Sequence, residues 1–63
     1  MIHVEAVNLC EKALVQAVDG GGNVHLYMAG YVDALFDSGQ ITEESRGDLY
    51  LSYADRGVIQ IHP

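Results

Sequence analysis

The sequence predicts an α+β domain that is mostly helical: two to three short helices and one C-terminal β-strand at about residues 57–62. It also predicts an intertwined homodimer, with the strands of two chains paired across a two-fold axis. Three observations carry this. Apolar residues recur at three- and four-residue steps through most of the chain. Glycines and side chains suited to helix caps punctuate that pattern. The character then switches near the end to a two-residue alternation of β-branched and polar side chains.

The first helix is expected over residues 4–18, where Val7, Cys10, Leu14 and Val18 make one apolar stripe and Glu5, Asn8, Glu11, Lys12 and Asp19 fall mostly elsewhere. Ile2 and Val4 around His3 would also suit a short strand, so the start is ambiguous. Asp19-Gly20-Gly21-Gly22-Asn23 then ends the helix, since consecutive glycines lose too much backbone entropy to stay helical, and Asn23 can cap the next helix. No lysine comes after the glycines, so they do not read as a phosphate-binding loop.

The second helix is expected over residues 24–38. Val24, Tyr27, Met28, Tyr31, Val32, Leu35 and Phe36 cover far more than the single sector of about 100° that a surface helix needs. Such a helix must be covered on two sides, and in so short a chain the second cover is expected from another subunit. Gly39 ends this helix, and Thr42 followed by Glu43 and Glu44 opens a third, making a helical hairpin. The third helix is expected over residues 43–55, with Leu49, Tyr50, Tyr53 and Ala54 inward and Arg56-Gly57 at its end. Val58-Ile59-Gln60-Ile61-His62 is the expected strand. A lone strand leaves its backbone groups unpaired, so the same segment of a second chain is its expected partner.

Size supports the dimer. A chain of 63 residues buries only about 60% of the surface its unfolded form exposes, and small domains usually need a staple. A disulfide within the chain is excluded because Cys10 is the one cysteine. A metal is disfavoured because His3, Cys10, His25 and His62 are scattered, with no pair at zinc spacing. Association remains. The expected dimer seam is Tyr27, Met28, Tyr31, Leu35, Val58, Ile59 and Ile61.

Nine acidic and three basic residues give a formal charge of −6, which repels phosphate backbones and argues against direct nucleic-acid binding. The chain shows no signal-peptide pattern and no long apolar run, so no membrane is expected and a reducing cytoplasm fits. Nucleophile–base–acid constellations, paired catalytic carboxylates and cofactor fingerprints are missing, so the chain reads as a binding protein without a cofactor and not as an enzyme. Cys10 reads as a buried structural thiol, even with His3 seven residues away.

The length, the acidity, the helices before a single strand and the hairpin Leu35-Phe36-Asp37-Ser38-Gly39-Gln40-Ile41-Thr42-Glu43-Glu44 resemble small early proteins of temperate bacteriophages. The chain is most similar in these respects to the early-protein family that lambda and related Shiga-toxin phages encode between their exonuclease and excisionase genes. The resemblance implies a dimeric helical fold with one strand, made early in infection in the host cytoplasm. It also implies a role in favouring lytic development by acting on a host or phage regulatory protein. It carries over no catalytic residues and names no target.

The residues support two functional readings. In the first, an apolar cleft formed by the second and third helices, with Leu49, Tyr50 and Tyr53 on its wall, holds an amphipathic helix of the target. In the second, Asp33, Asp37, Glu43, Glu44 and Asp48 mimic a nucleic acid and occupy the basic groove of a host nuclease or defence enzyme. The first is preferred because the acid count is modest for a mimic.

Overall fold

The structure, a computed structural model, describes residues 1–60. Three helices form: α1 (His3–Asp19), α2 (Val24–Asp37) and α3 (Glu43–Asp55). All three agree with the sequence reading within a residue or so. Helix α2 is the middle element and packs against both α1 and α3.

The caps explain where the helices start and stop. The Asn23 side chain accepts the Leu26 N–H at 3.1 Å, and the Thr42 hydroxyl accepts the Ser45 N–H at 3.1 Å. Helix α1 begins after Ile2, which has no polar side chain to offer, and its backbone N–H is taken by Glu5 instead. At the far end of α2, Gly39 has a φ of 76°. Its N–H reaches the Phe36 carbonyl and the Gln40 N–H reaches the Leu35 carbonyl, the paired bonds of a Schellman cap.

The same device at the end of α3 corrects the expected strand. Gly57 has a φ of 74°, and its N–H bonds the Ala54 carbonyl. The N–H groups of Val58 and Ile59 both turn back to the Tyr53 carbonyl, at 2.8 and 3.2 Å. Residues 57–60 are therefore turn and bend, and no strand forms among the described residues. The two N–H groups that a strand would offer to a ladder are used inside the chain. The remainder of the expected strand, with Ile61, lies outside the described residues.

The inward face of α1 also differs from expectation. Its buried residues are Ala6, Cys10, Ala13 and Ala17, while Val7 and Leu14 lie at the edge of the core and Val18 is exposed. Small side chains at these four positions let α1 approach closely enough to close over larger partners, chiefly Met28, Val32 and Leu35 of α2 and Tyr53 of α3. Hydrophobicity ranks the valines above the alanines, whereas close packing puts the alanines in. Ile41, Leu49 and Ile59 complete the core.

Candidate protein-interaction surface

The expected cleft between α2 and α3 is closed. Leu49 and Tyr53 are each 1% exposed and belong to the core. Tyr50 is half-buried, and its hydroxyl donates to Asp33 Oδ1 at 2.6 Å and lies 3.3 Å from the Ala29 carbonyl. Burial, with the bonded Asp33 carboxylate next, pushes the Tyr50 phenol up to about 12. These three side chains hold α3 to its neighbours and leave no wall for a guest.

The expected seam residues divide in the same way. Met28, Leu35 and Ile59 are buried within their own chain, the last only 2% exposed. Tyr31 and Val58 are half-buried, and the Val58 carbonyl is held by His25 Nδ1 at 2.8 Å. Tyr27 stays 45% exposed, stacked on Tyr31 with ring centroids 6.4 Å apart and planes 18° from parallel.

A different surface is open. Where α1 ends and α2 begins, Gln16, Ala17, Gly20, Gly22, Asn23, Leu26 and Tyr27 line a groove of about 500 Å³. Its rim is set by the cap of α2. Asn23 turns its side chain back onto the Leu26 backbone, which fixes the first turn of α2, and Leu26 is left 73% exposed. Behind it, Gly30 and Ala34 continue the same exposed stripe of α2, each four residues further on. A leucine this exposed beside an apolar hollow is a feature of recognition surfaces more than of a finished monomer surface. The sequence reading placed Tyr27 here and passed over Leu26. The signal was present, since Leu26, Gly30 and Ala34 form an uncharged i, i+4, i+8 row away from Met28 and Val32.

No protein family matches the chain, no curated protein matches it, and no solved structure matches it. Function must be argued from the surface itself.

The chemistry-bearing side chains are engaged structurally. Tyr53 and Arg56 both donate to Glu11 Oε1, and these bonds hold the Glu11 carboxyl below its usual range, Arg56 contributing most. Cys10 is fully buried, and burial followed by the nearby Glu11 charge raises its thiol pKa, so the thiolate form is disfavoured. His3 shares a hydrogen bond with the Ser45 hydroxyl at 2.7 Å. Among the described residues, no group of three or more His, Cys, Asp or Glu is placed to hold a metal, and no helix is long and apolar enough to cross a membrane.

Proposed function

We propose that this chain is an early bacteriophage protein that promotes lytic development from the host cytoplasm by binding a host or phage regulatory protein. The observation that carries the reading is the exposed Leu26 and Tyr27 beside the groove at the α1–α2 joint, in a domain whose other large side chains are mostly consumed by a small core. The phage context rests on the resemblance of the hairpin at residues 35–44. Its α2–turn–α3 geometry is the helical pair that this segment was expected to form.

A homodimer belongs to the same proposal. Of the expected seam residues, Tyr31 and Val58 keep partial exposure outside the groove. The acidic-mimic reading stands second, because Asp33, one of its five carboxylates, is tied to Tyr50 instead of being offered outward.

The test is biological. The wild-type chain and Leu26→Ser would each be produced in bacteria carrying an inducible temperate phage, and the fraction of cells entering lysis counted. A rise with wild type that the variant lacks supports the proposal; no rise with wild type overturns the lytic role.

A further inference from the structure

We propose that the groove at the α1–α2 joint takes a basic amphipathic helix, with one apolar anchor seated against Leu26 and Tyr27 and its Lys or Arg side chains facing the acidic surroundings. This deepens the protein-binding reading and rests on it. A volume of about 500 Å³ falls in the range of ligand pockets, roughly 300–1,000 Å³, and an open groove of this size holds an anchor side chain and not a whole ligand. Its entry is kept clear by Gly20 and Gly22, and a side chain added at Gly22 would meet nothing within 4 Å.

The form of the guest is set by what the surface offers. No strand edge is available among the described residues, so an extended peptide has no ladder to join, whereas a helix needs only an apolar row and a hollow. Its charge is set by the field. Nine acidic residues face three basic ones, and two of the three basic side chains are already engaged: Arg56 with Glu11, and Arg46 over the Phe36 ring at 4.3 Å. The groove lining itself contains no charged residue, and Asp19 lies in the chain between two of its lining residues, Ala17 and Gly20. A cationic helix is therefore steered toward this face. A second copy of the chain would bring another Asp19 to the same rim and is disfavoured there.

The experiment uses three labelled peptides of about 14 residues with leucines at i, i+3, i+4 and i+7 and with Lys, Gln or Glu at the other positions. Binding is read by fluorescence anisotropy at low and high salt, against wild type, Leu26→Ser and Asp19→Asn, with circular dichroism to confirm that the variants fold. The Lys peptide is expected to bind about tenfold or more tighter than the Gln peptide, to weaken about tenfold with Leu26→Ser, and to weaken as salt rises. Equal binding of all three peptides would overturn the basic chemistry while leaving the protein-binding reading intact. Lys-peptide binding that Leu26→Ser leaves unchanged would overturn the groove as its seat. If no peptide binds, and sedimentation shows wild type as a dimer and Leu26→Ser as a monomer, the groove is covered by a second copy and the proposal falls. If no peptide binds and both sediment as monomers, the proposal falls and the protein-binding reading loses its site.

Discussion

Tyr53 on α3 donates its phenolic O–H to Glu11 Oε1 on α1 across 2.7 Å, and Arg56, one turn further along, donates to the same oxygen. The ring of Tyr53 is core, but its oxygen reaches the core's edge, where the Arg56 guanidinium also lies 5.0 Å from the ring centre. This three-residue cluster ties the first helix to the last. Without it, α1 and α3 are joined mainly through α2.

Removing that oxygen isolates its contribution. Tyr53→Phe keeps the buried ring and is expected to lower stability by about 1 kcal/mol, less than a hydrogen bond to a buried charge, because Glu11 is half-exposed. Urea denaturation at neutral pH measures it, and an unchanged midpoint would mean the bond contributes nothing.

The same carboxylate sets an acid dependence. Its pKa is lower folded than unfolded, so Glu11 stabilises the fold above its ordinary value of 4.5, and that stabilisation is lost as pH falls below 4.5 through the folded value. Glu11→Gln is thus expected to be less stable than wild type at pH 7, with the gap narrowing toward about pH 3. Melting curves across that range would show it; a constant gap would place the effect outside ionisation.

Tyr50 gives the alkaline counterpart. Its phenol is raised to about 12 from an ordinary value of 10, so its contribution is present below pH 10 and is lost as pH climbs toward 12. Tyr50→Phe should flatten part of the stability loss over that interval, read by near-neutral and alkaline urea titrations. Some slope should persist, because Tyr53 is raised as well, by burial and by its bond to Glu11.

Ile59 separates the turn from a strand at a seam. Buried within its own chain, Ile59→Ala is expected to cost about 2–4 kcal/mol at any protein concentration. If the loss instead shrank as concentration rose, Ile59 would be acting between chains.

Two glycines should respond in opposite directions. Gly57 sits at a φ of 74°, so Gly57→Ala is expected to destabilise by about 1 kcal/mol. Gly47 lies exposed inside α3, with nothing within 4 Å of an added side chain, and Gly47→Ala should stabilise by up to about 1 kcal/mol. Thermal melts of the pair make the comparison directly.

The sequence by itself determined the three helices and their ends, because those depend on local chemistry. Asn23, Thr42, Gly39 and Gly57 act within a few residues of where they stand, and helix periodicity is visible in any window that contains it. It also determined the acidic surface and the lone, unpaired cysteine. Only the tertiary structure decided which faces are buried. Alanines, not valines, line the inside of α1, because the distance between packed helices is a property of both helices at once. The segment after Gly57 has the alternation of a strand, yet Val58 and Ile59 bond back to Tyr53, because the glycine's left-handed turn aims them there before any second strand can be met. For the same reason the tyrosines expected to wall a cleft are spent holding α3 in place, with Leu26 left to the solvent. Burial is shared out among all elements together, and one chain read residue by residue does not contain that division.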